Sequence, residues 1–283
     1  MARPRPGLAA LCLGLFWSVC GGLSPRRAAR LGGGLLALLG PHTRKHTPVL
    51  ANLRQVLPEL DTPTLQKLAR CNWWHLGATL AEYPHLAALG GVDHLRVEGE
   101  VPGPGPHIFI TAHLGNWELA VAAVQRRGMT IDVVYNPQGD AALDAQVHRA
   151  RQAMGCGLIA REGALRALFK SLGAGRSVGL LMDYRVAEAP LVPLLGRPAA
   201  TTTAPAWLAA RTGAALVPVS VTRLADGSFE ARFHPAVARV DSGNEKADLL
   251  ATTAAINQQI GALIAAHPEQ WWCTKRRWPK RKG

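Results

Sequence analysis

From residue 107 onward, short apolar runs alternate with stretches of helical patterning, and that alternation constrains the fold more than any other feature. HIFITA (107–112) precedes a helical pattern from Trp117 to Arg127, and IDVVY (131–135) precedes one from Ala141 to Met154. GLIA (157–160) is followed by Gly163 to Leu172, and SVGLLM (177–182) by Ala204 to Arg211 further on. ALVPVSV (215–221) is another run, SFEARFH (228–234) alternates as an antiparallel edge would, and Asp248 to Ala266 reads as a long amphipathic helix. Strands and helices in this order predict an α/β chain in three layers, a mostly parallel central sheet flanked by helices.

Hydrophobic residues make up 48% and charged residues 18%, which excludes disorder over most of the chain. No second uncharged apolar run approaches the roughly 20 residues that span a bilayer, so a polytopic membrane protein is excluded. The five cysteines are scattered without a CxxC pair, which suggests neither a disulfide framework nor a zinc knuckle.

The excess of 32 Lys and Arg over 19 Asp and Glu sits at the two ends. No acidic residue precedes Glu59, and the final segment WWCTKRRWPKRKG has none. Between 59 and 270, 18 basic residues meet 19 acidic ones, so the body is nearly neutral. Basic ends interleaved with Leu8 to Val19 and with Trp271, Trp272 and Trp278 suit an anionic lipid surface. Gly7 to Ser24 is uncharged, and the expectation is an uncleaved helical anchor that spans the membrane or lies in its interface. The expected organisation is a membrane-anchoring segment over 1–45, a helical region over 46–90, the α/β domain over 91–270 and a Trp-rich membrane-contacting tail over 271–283. Within 46–90, Thr62 is the expected cap of a helix with Pro63 in its first turn.

TAHLGNWELA (111–120) is the string that carries chemistry. It follows the first strand of the 107–234 alternation and enters a helix, which sets His113 at a strand's carboxyl end, where open α/β sheets bind ligands. Gly115 permits a tight turn, and Asn116 can cap the helix. Glu118, five residues on, can meet the imidazole across that turn, fix its tautomer and stabilise its protonated form. A neutral imidazole so held takes a proton from a hydroxyl.

HLGNWE resembles the HxxxxE/D motif of the lysophospholipid acyltransferase superfamily, and its surroundings resemble the lipid A late acyltransferase branch. ANLRQVLPEL (51–60) is similar to the helix leading into that family's body, and REGALRALFKSL (161–172) to its arginine-led helix. LLMDYR (180–185) is similar to its strand ending in Asp, although Tyr184 and Arg185 stand where Gln is usual. VPLLGRPAATTTAPAWLAARTGAALVPV (192–219) and HPEQWWCTKRRW (267–278) resemble two further signatures.

The resemblance implies acyl transfer from a thioester, usually on acyl carrier protein, to a hydroxyl of a phosphorylated glucosamine lipid. It makes His113 the general base, Glu118 its partner, and Arg161 a binder of substrate phosphate or of the developing oxyanion. Asp183 and Arg185 fall at the strand-end acid and its local substrate contacts. Gly196, Arg197 and Thr201 line the acceptor site or else form a loop and a cap; Asn116 positions substrate or caps. Neither a metal nor a cofactor is implied, and no nucleic-acid partner is expected. The implied location is the bacterial inner membrane, with the site facing the cytoplasm. Two other readings stay open: an acyltransferase for a lysophospholipid or another glycolipid, and a non-catalytic basic protein binding membrane or nucleic acid through its ends.

Overall fold

The computed structural model describes residues 7–279. Five helices lead: α1 (Leu8–Gly21), α2 (Pro25–Leu39), α3 (His46–Val56), α4 (Thr62–Ala81) and the short α5 (Leu86–Leu89). The alternating part then runs β1 (Leu95–Glu98), β2 (Ile108–Thr111), α6 (Ala120–Gln125), β3 (Ile131–Tyr135), α7 (Ala141–Gln152), β4 (Gly157–Ala160), α8 (Ala164–Gly173) and β5 (Ser177–Leu181). It closes with β6 (Leu191–Leu194), β7 (Arg197–Ala200), α9 (Ala204–Thr212), β8 (Leu216–Arg223), β9 (Phe229–Phe233) and α10 (Glu245–Ala266).

Seven strands form one sheet in the order β1-β9-β8-β2-β5-β3-β4, and every neighbouring pair is parallel except β8 with β9. This is the expected mostly parallel sheet. Helices cover both faces: Leu168, Leu208, Ile256 and Ile260 pack in one apolar cluster with Ile108 and Ile110 of β2, and Leu119 and Val124 in another with Phe109. A strand buried on both sides must be apolar at successive positions, which is how HIFITA reads. Two elements were not expected. β1 adds an edge strand, and β6 with β7 makes a separate antiparallel hairpin. Its turn places Leu195 (φ 50°) and Gly196 (φ 71°) at positive φ, as a two-residue I′ loop requires.

The glycines of α2 serve a helix crossing. A Cβ at Gly32 would lie 2.4 Å from the Gly77 carbonyl oxygen of α4, and one at Gly77 would lie 2.1 Å from that of Gly32. The two backbones therefore touch, and alanine at either position would force them apart. Asp61, rather than Thr62, caps α4, accepting from the Thr64 N–H at 2.9 Å.

α1 has 14 residues, about 21 Å of helix, which is short of a bilayer's ~30 Å core. It lies on the body instead of projecting from it. Trp17 stacks on Tyr83 with centroids 5.0 Å apart, and its indole N–H donates to the Leu80 carbonyl at 2.8 Å. Leu8, Leu11, Leu15 and Val19 form a stripe on its exposed face. α10 is long and apolar enough to cross a membrane, yet its Ile256, Ile260 and Ile264 pack inside the core cluster.

The tail differs from expectation. Trp271, Cys273, Arg277 and Trp278 are buried and Trp272 is half-buried, so the indoles expected at a membrane pack into the body and 271–279 forms a strap across it. Tryptophan beside arginine has the same local signature whether the indole meets lipid or core. Lys280, Arg281 and Lys282, like Arg3 and Arg5, lie outside the described residues.

Candidate active site

Parallel pairing of β2 with β5 sets Thr111 opposite Leu181. Two residues further along each chain stand His113 and Asp183. Adjacent strand ends bring them together: His113 Nδ1 lies 2.9 Å from Asp183 Oδ1, and the His113 backbone N–H donates to Oδ2 at 3.0 Å. The Trp271 indole also donates to Oδ2, at 2.8 Å. Burial alone would raise the Asp183 carboxyl. The positive charge available on His113, together with the bonds from His113 and Trp271, instead holds it below the ordinary carboxylate range. An ionised carboxylate only accepts, so Nδ1 is the donor in this pair, and the neutral ring has its lone pair on Nε2. Nε2 makes no hydrogen bond among the described residues, and it is absent from their buried unpartnered atoms. His113 as a whole is 7% exposed, at the edge of the cleft lined by Asp183, Tyr184 and Trp272.

Three aromatic rings surround the imidazole. Trp117 and Tyr184 have centroids 5.0 Å from it and Trp272 5.2 Å, while Trp117 and Trp272 stack on each other at 5.1 Å. Such a ring of low-polarity groups strengthens the His113–Asp183 interaction by excluding water.

The turn after His113 is pinned from three directions. Gly115 has φ +56°, and a Cβ there would fall 2.2 Å from the Val221 carbonyl oxygen. Its N–H donates to the Gln270 carbonyl at 3.0 Å, and its carbonyl accepts from the Thr79 hydroxyl at 3.0 Å. The Trp272 N–H donates to the His113 carbonyl at 2.7 Å, so the C-terminal strap closes over the turn.

Glu118 does not pair with His113. Arg151 of α7 grips it through Nε at 3.0 Å and Nη2 at 2.6 Å, the Tyr83 hydroxyl donates to it at 2.7 Å and the Trp117 indole at 3.0 Å. Burial would raise this carboxyl too, but the Arg151 charge and the bonds from Arg151 and Tyr83 hold it down, with the charge of His113 a lesser influence. The carboxylate that meets His113 is Asp183, while Glu118, the expected partner, is bound by Arg151, Tyr83 and Trp117. Five residues of sequence gave proximity, whereas strand register decided contact.

The remaining expected residues divide. Arg161, whose N–H donates to the Tyr135 carbonyl at 2.9 Å, and Arg185 line a cleft of about 230 Å³ together with Asp183, Tyr184 and Trp272. Asn116 is fully buried and donates from Nδ2 to Glu82 at 2.9 Å, while Glu82 forms an ion pair with Arg223. Its Nδ2 thus ties the turn to the Glu82–Arg223 pair, while its Oδ1 is buried without a partner among the described residues. Thr201 is also fully buried, donating to the Ala199 carbonyl and accepting from Arg277, so the expectation that it lines the acceptor site is not met. Gly196 serves the hairpin turn. Arg197 lines a neighbouring cleft of about 410 Å³ with Gln55 and Arg276. A narrow apolar cavity of about 60 Å³ lies between α6 and the sheet, lined by Val121, Val124, Ile131 and Leu181, with Glu118 and Arg151 also in its wall. Among the described residues, no three His, Cys, Asp or Glu side chains cluster closely enough to hold a metal ion.

The sequence profile of bacterial lipid A biosynthesis acyltransferases matches residues 3–280. The chain belongs to that family. The phosphatidylinositol mannoside acyltransferases of two Mycobacterium tuberculosis strains are each 29% identical over 201 residues, covering 67% of this chain. This member of the lipid A acyltransferase family spans about 59% of the length of those relatives. Sequence reasoning missed Trp271 and Trp272 as parts of the site. The signal was present in HPEQWWCTKRRW, but its conversion into contacts with Asp183 and His113 needs the fold.

Proposed function

We propose that this protein transfers a fatty acyl chain from an acyl thioester to a hydroxyl of a phosphorylated membrane glycolipid. One observation carries the chemistry: His113 is held through Nδ1 by an ionised, buried Asp183 while Nε2 stays open. The acceptor hydroxyl oxygen attacks the thioester carbonyl carbon as its proton passes to Nε2. Asp183 stabilises the imidazolium, and Arg161 at the cleft is the candidate donor to the tetrahedral oxyanion. Collapse breaks the C–S bond, and the departing thiolate takes the proton back from His113. No metal or cofactor is assigned a step; the thioester is a co-substrate.

Family membership favours a lipid A precursor as acceptor and acyl carrier protein as the carrier of the donor chain. A phosphatidylinositol mannoside is the second reading, favoured by the names of the mycobacterial relatives. The proposed location is the cytoplasmic face of the inner membrane. There the stripe Leu8, Leu11, Leu15 and Val19 would enter the headgroup boundary while exposed Arg26, Arg27 and Arg30 meet lipid phosphates.

The test supplies purified wild-type and His113→Ala protein with an acyl thioester and each acceptor in turn, and reads acylated product by mass spectrometry. Wild type should acylate one acceptor class and His113→Ala should transfer far less. Equal rates would remove the assignment, and vesicle binding with no transfer to any acceptor would return the protein to a non-catalytic role.

A further inference from the structure

Behind the turn that carries His113 lies a buried ion pair that the proposed proton transfer does not use. Glu82, just past the end of α4, meets Arg223, the last residue of β8, and the two are 1% and 8% exposed. Both Nη groups of Arg223 donate to the carboxylate, Nη2 to Oε2 at 2.8 Å. The guanidinium also lies over the Phe229 ring, 4.6 Å from its centroid. Exchanging such a pair for apolar residues of similar size is often neutral or stabilising, so stability alone gives no reason for it here. What the pair is connected to does.

Two lines of hydrogen bonds run from it to residues 113–116. Along the first, Glu82 Oε2 accepts from Asn116 Nδ2 at 2.9 Å. One turn earlier on α4, the Thr79 hydroxyl bonds the Gly115 carbonyl, so the end of this helix grips the turn twice. Asn116 makes no cap bond to the helical turn that follows, which leaves its side chain to Glu82.

Along the second line, the Arg223 N–H donates to Gln270 Oε1 at 2.8 Å, and the Arg223 carbonyl accepts from Gln270 Nε2 at 3.1 Å. The side-chain amide thus pairs with β8 as a neighbouring strand would. The backbone carbonyl of Gln270 in turn accepts the Gly115 N–H. The next two residues close on the catalytic pair: the Trp271 indole donates to Asp183, and the Trp272 N–H to the His113 carbonyl. Hydrogen bonds weaken steeply when bent or stretched, so a buried network of them fixes orientation where apolar packing would let elements slide.

We infer that Glu82, Arg223 and Gln270 are positioning residues, which hold the 113–116 turn and the strap in the register that keeps the His113 imidazole against Asp183. The inference rests on the acyl-transfer reading and adds to that site three residues that act only through others.

Two variants of the full chain each cut one line and leave the Glu82–Arg223 pair whole: Asn116→Leu and Gln270→Met. Circular dichroism and urea denaturation verify their fold. Steady-state transfer gives kcat and KM, and proton NMR follows the His113 Nδ1–H, identified by its absence from His113→Ala. Each variant should lower kcat about tenfold to hundredfold, the scale of a displacement of up to about 1 Å at a catalytic group, with KM for either substrate within about twofold. The Nδ1–H signal should move or broaden as the bond to Asp183 lengthens. Unchanged kcat in both variants overturns the proposal, and so does a fall in kcat with the signal untouched. A raised KM at unchanged kcat in Asn116→Leu also overturns it, by making Asn116 a substrate contact. Should either variant fail to fold, Glu82→Leu/Arg223→Met takes its place: it should keep near-wild-type stability and still lose kcat, and full activity in it overturns positioning. If wild type transfers no acyl chain, the signal alone decides: its change in the variants leaves positioning standing while the acyl-transfer reading falls. Transfer by wild type, with kcat and signal both untouched in the variants, does the reverse.

Discussion

His113 stands near two buried carboxylates that are employed in opposite ways. Asp183 sits at the end of the neighbouring strand and takes the imidazole Nδ1 and the His113 backbone N–H. Glu118 follows five residues later in the chain and is taken up by Arg151, Tyr83 and Trp117. Both are held below the usual carboxylate range, so neither ionisation state nor burial separates them. The partner of the opposing charge does. Asp183 faces a group that can gain and lose a proton, whereas Glu118 faces a guanidinium that is always charged. The first arrangement can pass a proton onward; the second ties α7 to the turn that follows His113.

The largest expected effect that tests this contrast is on rate. His113→Ala should lower transfer by ~10²–10⁴-fold, and Asp183→Asn, which keeps the shape but not the charge, should fall in the same range. Glu118→Gln should cost much less per folded molecule. Single-turnover assays on protein of verified fold decide the point, and a Glu118→Gln loss equal to that of Asp183→Asn would return Glu118 to the catalytic pair.

Stability should show the reverse order. Glu118→Gln leaves Arg151 buried without its counter-charge, and breaking such a pair costs about 3–5 kcal/mol. Urea denaturation should find that loss, with a Glu118→Leu/Arg151→Met double variant recovering much of it. Recovery would mark the pair as structural.

Trp271→Phe removes one donor from Asp183 while keeping an aromatic ring. Losing a hydrogen bond to a charged group is worth about 1.5–3 kcal/mol, so the rate should fall about tenfold or somewhat more while the Asp183 carboxyl moves upward. An unchanged rate would make the strap a cover and nothing more.

The smallest effect separates the carboxylates from a half-buried histidine, His75. Burial, with a lesser push from Arg223 and His267, lowers His75 to about 4. A histidine that stays neutral in the fold stabilises it fully above its unfolded value near 6.5, and this contribution is lost as pH falls from there to about 4. The depressed carboxylates give their contribution above about 4 and lose it only at lower pH. Denaturation at pH 7.5 and 5 should therefore show a drop that His75→Gln reduces. A drop of the same size in the variant would mean another group titrates.

The centre of the sheet was legible because strands such as β2 and β8 are buried on both faces and read as apolar runs without help from distant residues. His113 was legible for a related reason, since a strand end followed by a glycine turn is a local pattern. Its partner was not. Asp183 is 70 positions away, and only the pairing of Thr111 with Leu181 turns that separation into 2.9 Å. The β6–β7 hairpin escaped because LVPLLGRPAA lacks the Asn-Gly or Asp-Gly signal and puts Leu195 at positive φ. Trp271 and Trp278 were misplaced because indole beside arginine looks alike at a bilayer and in a core. Asn116 and Thr201 each left a substrate contact and a cap or loop role open, because the partners that bury them, Glu82 and Arg277, lie 34 and 76 residues away.

Because the ribosome delivers residues 271–273 after every strand of the sheet, a nascent chain can gather its helices and fold its centre while the histidine still lacks its covering. Only when the indole of Trp271 emerges and docks does the proton-handling pair become complete. Assembly order thus places the indole donor after the strands: the bond from Trp271 to Asp183 forms only once the whole sheet has been made.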